Sequence, residues 1–193
     1  EQHITAIGQA VAEYRQINSI NGPLYLGKDT HALSEPAFAS AISVLIANGV
    51  HVVIQSDNGF TPTPVISRLI ISHNKVNSDL LADGLIITPS HNPPSDGGIK
   101  YNPPHGGPAE GGITKKIEQR ANEIIIAGLV DIKKLPYQDA LQSALLTKED
   151  FISHYVEQLD QVIDIQAIVK AGINIGVDPL GGSGIAYWPV IAE

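Results

Sequence analysis

The sequence predicts an α/β fold in which a mixed, mostly parallel sheet lies between two layers of helices. Short apolar runs alternate with segments that carry apolar residues at helical spacing, and 43% of the 193 residues are hydrophobic, enough for a real core. Such alternation places helical crossovers between parallel strands. One strand should be antiparallel, because residues 98–102 follow the strand that ends at Ile87 too closely for a helical crossover.

Three strands and three helices alternate in the prediction for the first 90 residues. The breaker Asn21-Gly-Pro ends the first helix, and Gly49 follows the end of the second. Ser34 is expected to cap the second helix, with Pro36 in its first turn. In chain order the predicted elements are a helix over 4–18, a strand over 24–27, a helix over 34–48, a strand over 50–55, a helix from 63 and a strand over 85–87.

The rest of the pattern predicts a first domain over residues 1–159, truncated at its N-terminus, and the incomplete start of a second, similar α/β domain over 160–193. Apolar residues recur at helical spacing over 113–125, whereas the pattern over 131–147 is weak. A helix is expected to begin at Thr147-Lys-Glu-Asp. The last elements expected are a short helix over 164–171, a strand over 173–177 and the beginning of a helix after Gly181-Gly-Ser-Gly.

Composition excludes several classes of function. The net charge is −8 and basic residues cluster only in pairs, which argues against a nucleic-acid partner. No apolar run approaches 18 residues and the start is not a signal peptide, so no membrane partner is expected. The chain has no cysteine, which suits a reducing compartment, and we expect a cytoplasmic location. A first residue other than methionine, with no methionine anywhere, suggests an excised piece.

The segment from Ile86 to Pro108 is the strongest functional candidate. It is a polar loop rich in proline and glycine, and proline restricts both its own φ and the preceding residue. Ser90 is therefore expected on a preshaped loop. Adjacent side chains on extended backbone point to opposite faces, so His91 is badly placed to deprotonate Ser90 for acyl transfer. A serine that carries a phosphoryl group needs cations, N–H donors and a proton donor instead, which His91, Asn92 and Lys100 can supply.

Each of these residues also has a plain structural interpretation. A loop serine usually bonds its own backbone, and a lysine on a short strand is usually a solvated edge charge. The loop Asp29-Thr30-His31 could be an Asx turn at a helix entry.

The strings Thr88-Pro-Ser-His-Asn-Pro and Gly98-Ile-Lys-Tyr-Asn resemble the phosphoserine loop of the α-D-phosphohexomutases, most closely its bacterial phosphoglucomutase branch. Similarity continues through Gly27-Lys-Asp-Thr-His, Asn58-Gly-Phe-Thr-Pro-Thr-Pro and Gly176-Val-Asp-Pro-Leu-Gly-Gly-Ser-Gly, so it covers most of the chain. The resemblance implies interconversion of glucose 1-phosphate and glucose 6-phosphate through glucose 1,6-bisphosphate. It implies site residues as follows: Ser90, His91 and Lys100 as catalytic, and Asn92, Asp29 and Thr30 as ligands of substrate or phosphate.

The resemblance also implies a Mg²⁺ ion bound to the phosphate on Ser90. The family holds that ion with an Asp-x-Asp-x-Asp loop, and this sequence has no Asp-x-Asp. The family's upstream Thr-Ser-Gly-x-Arg-Gly segment, sugar-recognition loop and distal phosphate loop are absent as well. We therefore expect a fragment whose partners are the phosphosugar and the missing domains of its own full-length chain, and which is inactive alone.

Two alternatives stay open. A phosphomannomutase or phosphoglucosamine mutase would differ mainly in the sugar loop, which this chain lacks, although the string from Gly98 to Asn102 favours glucose. A non-catalytic α/β module could instead bind a phosphorylated ligand through the same loop, with Ser90 only a capping hydroxyl.

Overall fold

A computed structural model describes residues 1–93 and 95–193. It contains a five-stranded sheet between two helical layers, which confirms the predicted α/β/α architecture. The predicted loop around Ser90 covers residues 88–97 and is called the Ser90 loop. Its Pro94 lies outside the described residues. Among the described residues, none of the helices is long and apolar enough to cross a bilayer.

The elements follow one another as predicted through the first two thirds of the chain. In chain order they are α1 (Gln2–Ile17), β1 (Leu24–Lys28), α2 (Ser34–Ala47), β2 (Val52–Gln55), α3 (Thr63–Val76), β3 (Asp83–Ile87), β4 (Ile99–Asn102), α4 (Gly111–Ile126), α5 (Tyr137–Leu141), β5 (Leu146–Glu149), α6 (Phe151–Val156), α7 (Ile165–Ala171) and α8 (Tyr187–Ile191). Short 3₁₀ turns lie at Ser56–Asn58 and Leu159–Gln161.

The strands lie in the order β4-β3-β1-β2-β5. The pairs β3–β1, β1–β2 and β2–β5 are parallel, and β4 runs antiparallel to β3, as predicted from its close spacing. Alternating strand residues face opposite layers because side chains of a strand alternate between its faces. Leu24 and Leu26 pack under α1, α2 and α4, whereas Tyr25 faces α3 and α6.

Three local predictions were wrong. Ser34 does not cap α2 through its side chain, because its hydroxyl donates to Asp29 instead. Residues Leu146–Glu149 form strand β5 beside β2, so the next helix begins after Asp150, whose carboxylate caps it. The described residues 173–177 do not form a strand, and Ile173 and Ile175 are exposed. Within the described part of the chain no neighbouring strand pairs with that segment.

The proposed division at residue 159 stays a prediction. Among the residues assigned to the second domain, Tyr187 on α8 is buried and packs edge-on against Tyr155 of α6, at 6.0 Å between ring centroids.

A buried ion pair lies at the end of the sheet away from the Ser90 loop. Arg15 of α1 contacts Asp83 at the start of β3, and the hydroxyl of Tyr101 donates to the same carboxylate at 2.6 Å. Arg15 also donates to the carbonyl of Gly22 at 2.5 Å. Burial raises the pKa of Asp83 to about 6, although Arg15 and Tyr101 oppose that rise. The pair fixes the C-terminal end of α1 against the start of β3.

Candidate functional site

The candidate site lies where parallel strands β1, β2 and β3 end. Because the carboxyl ends of parallel strands meet at one edge of a sheet, the loops that follow them are neighbours. The N–H of Asp29, after β1, donates to the carbonyl of Ile87 at the end of β3 at 3.0 Å. The N–H of Thr61, after β2, donates to the carbonyl of Lys28 at 2.8 Å. Three loops are thereby joined beside Ser90.

Ser90 is exposed and has a left-handed backbone, with φ of 68°. Its N–H donates to the hydroxyl of Thr88 at 2.8 Å. The left-handed region costs an L-residue other than glycine about 1–2 kcal/mol, so the surrounding contacts must hold this conformation. The base of the loop is closed where Thr88 N–H donates to the carbonyl of Gly98 at 2.9 Å. A side chain at Gly98 would lie 2.4 Å from the Thr88 carbonyl oxygen, so this close approach requires glycine.

The carboxylate of Asp29 is the centre of the hydrogen bonds behind Ser90. Its Oδ1 accepts from the Ser34 hydroxyl at 2.5 Å and from the His31 N–H at 3.0 Å. Its Oδ2 accepts from the Thr88 hydroxyl at 2.6 Å. Burial alone would raise the pKa of Asp29, but the hydrogen bonds from Ser34, Thr88 and His31 outweigh it and lower that pKa. A continuous chain of bonds therefore runs from the Ser90 N–H through Thr88 to Asp29.

His31 connects the same carboxylate to the Ser90 loop. Its Nδ1 lies 2.7 Å from Asp29 Oδ2, and its Nε2 lies 3.1 Å from the backbone carbonyl oxygen of Asn92. The contact with the Asn92 carbonyl, helped by the Asp29 carboxylate, raises the pKa of His31. The side-chain amide of Asn92 donates to Asp96 at 3.2 Å, within the loop.

Of the six site residues predicted from the sequence, three belong to the hydrogen-bonded network of Asp29 and three lie outside it. Asp29 and Ser90 belong to the same hydrogen-bonded chain, and Asn92 joins it through its backbone carbonyl. Thr30 is exposed on the loop after β1 and His91 on the loop after β3, and Lys100 is exposed on β4 opposite Ile86. The described hydrogen bonds of the Asp29 network do not include these three side chains.

Sequence reasoning missed Thr88 and His31 as members of the network, and it missed a second cluster around Lys28. The Lys28 side chain is 1% exposed. Its ammonium pairs with Glu35, donates to Asn58 Oδ1 at 2.9 Å and lies 4.9 Å from the ring centre of Phe38. A lysine at the end of an otherwise apolar strand was the available signal, because lysine is rarely buried unless it is paired.

The described residues do not fit a magnesium site by themselves. They contain no group of three or more His, Cys, Asp or Glu side chains that could hold a metal ion. Both oxygens of Asp29 already accept hydrogen bonds from the protein, and Asp96 accepts from Asn92 and Ser95. Mg²⁺ prefers six oxygen ligands in near-octahedral geometry, which the carboxylates of Asp29 and Asp96 do not offer.

Comparisons with known proteins agree on one family. The family model described as phosphoglucomutase/phosphomannomutase, alpha/beta/alpha domain I, matches residues 1–126. The chain is 50% identical over its whole length to a phosphoglucomutase of Komagataeibacter xylinus, of which it covers 35%. It is 31% identical over 96% of its length to a phosphoglucomutase/phosphomannomutase of Thermococcus kodakarensis, of which it covers 37%. The chain therefore spans about a third of the length of these curated relatives.

A solved structure supports the fold. The open form of the exocytosis-sensitive phosphoprotein pp63/parafusin, a phosphoglucomutase from Paramecium, superposes on 98% of this chain with a TM-score of 0.77. The chain covers 37% of that structure and is 20% identical to it.

Proposed function

The chain belongs to the phosphoglucomutase/phosphomannomutase family, and we propose that it contributes the phosphoserine of a phosphoglucomutase that interconverts glucose 1-phosphate and glucose 6-phosphate. The choice of glucose is supported by the 50% identity to a protein named phosphoglucomutase. The observation that carries the proposal is the exposed hydroxyl of Ser90, whose left-handed backbone is held by Thr88 and Asp29 at the carboxyl edge of the sheet.

The proposed reaction consists of two phosphoryl transfers, one from Ser90 and one back to it. Phospho-Ser90 gives its phosphoryl group to the 6-oxygen of glucose 1-phosphate. The 6-hydroxyl proton leaves to a base and the Ser90 oxygen takes up a proton, so that glucose 1,6-bisphosphate and a free serine hydroxyl result. The bisphosphate then reorients in the site, and its 1-phosphoryl group moves to the Ser90 oxygen. The serine hydroxyl loses its proton to a base, and the sugar 1-oxygen takes up a proton to become a hydroxyl. Glucose 6-phosphate is released and phospho-Ser90 is restored. Phosphoryl transfer of this kind depends mainly on positioning and on charge stabilisation.

The predicted site residues can share these tasks. We assign Lys100 to neutralise phosphate charge and to exchange a proton with the sugar hydroxyl, and His91 and Asn92 to bond phosphate or substrate from the same loop. Thr30 is exposed on the adjacent loop and is proposed as a further substrate ligand. Asp29 was predicted to contact substrate or phosphate, but its oxygens accept bonds from Ser34, Thr88 and His31, so we propose that it acts through those residues instead.

The remaining parts of the catalytic centre must lie elsewhere in the full-length protein. The Mg²⁺ ion and the bisphosphate activator stay expectations from the family, and the described residues supply no ligand set for the ion. The cytoplasmic location stays a prediction. Phosphomannomutase and phosphoglucosamine mutase activities are the alternatives within the family, and the ratio of kcat/KM for glucose 1-phosphate and mannose 1-phosphate distinguishes the first of them.

The proposal is tested by phosphate on Ser90 in the full-length enzyme. We expect peptide mass spectrometry to find phosphoserine at Ser90 after incubation with glucose 1,6-bisphosphate, and Ser90→Ala to abolish mutase turnover. Ser95→Ala is the matched control, because Ser95 is an exposed serine of the same loop. An unmodified Ser90 together with an active Ser90→Ala enzyme would refute the phosphoserine and favour the non-catalytic binding module.

A further inference from the structure

Both ring nitrogens of His31 face groups that can only accept a hydrogen bond. Nδ1 lies 2.7 Å from Oδ2 of Asp29, whose lowered pKa keeps it ionised at neutral pH. Nε2 lies 3.1 Å from the backbone carbonyl oxygen of Asn92. A neutral imidazole has a single N–H and can donate to one of these partners, with a lone pair directed at the other. Only the doubly protonated ring makes both bonds.

The charges around His31 favour the protonated ring. Asp29 is in direct contact, and the carboxylate of Asp96 acts on His31 from the Ser90 loop. On the side of α2, Glu35 pairs with Lys28, so that ion pair is neutral overall. Together with the Asn92 carbonyl, these carboxylates hold the pKa of His31 above its ordinary value.

The two bonds of His31 join elements that are distant in sequence. His31 and Asn92 are 61 residues apart, and Asn92 lies two positions after Ser90. Thr88 holds the N-terminal side of Ser90 through its bond to Asp29, and His31 holds the C-terminal side through Asn92. The same carboxylate therefore anchors Ser90 from both directions.

We propose that His31 is a positioning residue, which bridges Asp29 and the Asn92 carbonyl as an imidazolium and so holds the Ser90 loop in the geometry for phosphoryl transfer. This inference rests on the proposed function of Ser90. It concerns the position of the serine and assigns His31 no contact with substrate.

The bridge has a defined dependence on pH. A histidine whose pKa is raised in the folded protein stabilises the folded form fully below its ordinary pKa. That stabilisation is lost as the pH rises through the raised pKa. The rate of phosphoryl transfer should therefore decline on the alkaline side as His31 loses a proton and releases one of its partners. An arginine at position 31 keeps its charge and several N–H donors throughout this range, so it should remove the decline.

The test uses the full-length enzyme and three variants. A misplaced reacting group costs up to about 10²-fold in rate, so we expect His31→Ala to lower kcat by about 10- to 100-fold with KM changed by less than about threefold. His31→Arg should stay within about fivefold of the wild-type kcat and lose the alkaline decline. His154→Ala is the control, because His154 is an exposed histidine on α6.

A second measurement does not depend on activity. Side-chain ¹⁵N NMR of histidine-labelled enzyme, with His31 assigned from the signal lost in His31→Ala, should show both ring nitrogens protonated at about pH 6.5. A neutral His31 at that pH, a His31→Ala enzyme with the wild-type kcat, or a His31→Arg enzyme as slow as His31→Ala overturns the inference. These outcomes leave phosphate on Ser90 untouched, whereas an active Ser90→Ala enzyme removes the proposed function itself.

Discussion

Replacing Asp29 with asparagine is the sharpest perturbation of the network behind Ser90, because it conserves shape and removes only charge and one acceptor atom. The amide oxygen of the substituted side chain can still accept from the Ser34 hydroxyl and the His31 N–H, which bond Oδ1 in the wild type. The new NH₂ group then faces the Thr88 hydroxyl and the His31 ring, both of which donate to Oδ2 in the wild type. Two charge-assisted bonds are lost.

The expected loss of stability follows from these two bonds. A hydrogen bond to a charged group contributes about 1.5–3 kcal/mol, and the site is close enough to the surface for the lower end to apply. We therefore expect the free energy of unfolding to fall by about 3 kcal/mol, which for a chain of this size lowers Tm by about 6–12 °C. The difference should shrink as the pH falls through the lowered pKa of Asp29, because that carboxylate contributes stability only while it is ionised.

Urea and thermal unfolding of the wild type and of Asp29→Asn at several pH values measure this loss in the free energy of unfolding. Asp131→Asn is the matched control because Asp131 is exposed. The kcat of full-length Asp29→Asn should also fall by at least about tenfold, since Ser90 loses its support from Thr88. An Asp29→Asn unfolding curve that coincides at pH 7 with the curves of the wild type and of Asp131→Asn would show that the hydrogen bonds to Asp29 contribute nothing to the stability of the fold.

Two further substitutions separate chemistry from stability. In the full-length enzyme, Lys100→Ala should lower kcat/KM by about 10²-fold or more while the free energy of unfolding changes by less than about 0.5 kcal/mol, because Lys100 is an exposed residue of an edge strand; a near-normal kcat/KM would reduce Lys100 to an edge charge. Arg15→Met leaves Asp83 buried without its cation and should cost about 3–5 kcal/mol. That loss should be larger at pH 8 than at pH 5, since the pKa of Asp83 is raised and protonation relieves the buried charge; equal losses at both pH values in urea unfolding would contradict this.

The sequence was sufficient for the architecture through α4 because the signals there are local. Apolar strands, helical periodicity and breakers such as Gly49 lie within a few residues of the elements that they delimit, and the close spacing of β3 and β4 left an antiparallel pair as the simplest solution. Strand β5 gave no such signal. It is a four-residue edge strand, half exposed, whose one described partner is β2, so its conformation depends on pairing with residues about 94 positions earlier, such as Val52 with Leu146.

The segment over 173–177 shows the opposite failure. Its apolar residues suggested a strand, but a strand needs a neighbour to satisfy its backbone N–H and C=O groups. No described strand of this chain pairs with it, and Val177 is 43% exposed. The hydrophobic pattern therefore indicated that the segment is suited to a strand, whereas formation of that strand depends on a neighbouring strand.

The same distinction explains which site residues could be found from the sequence. Ser90, His91 and Asn92 could be predicted as site residues because they are consecutive and their loop has a distinctive composition. Asp29 was predicted from the family resemblance, but as a ligand of substrate or phosphate, and no local signal predicted its hydrogen bond with Thr88, which is 59 residues away. That bond forms only when β1 and β3 pair in parallel and bring their carboxyl ends together. A local motif predicted Ser90 as the residue that carries the phosphoryl group, whereas the residues proposed to position it come together only in the fold. A substitution at Asp29 therefore tests the fold and the proposed chemistry at once.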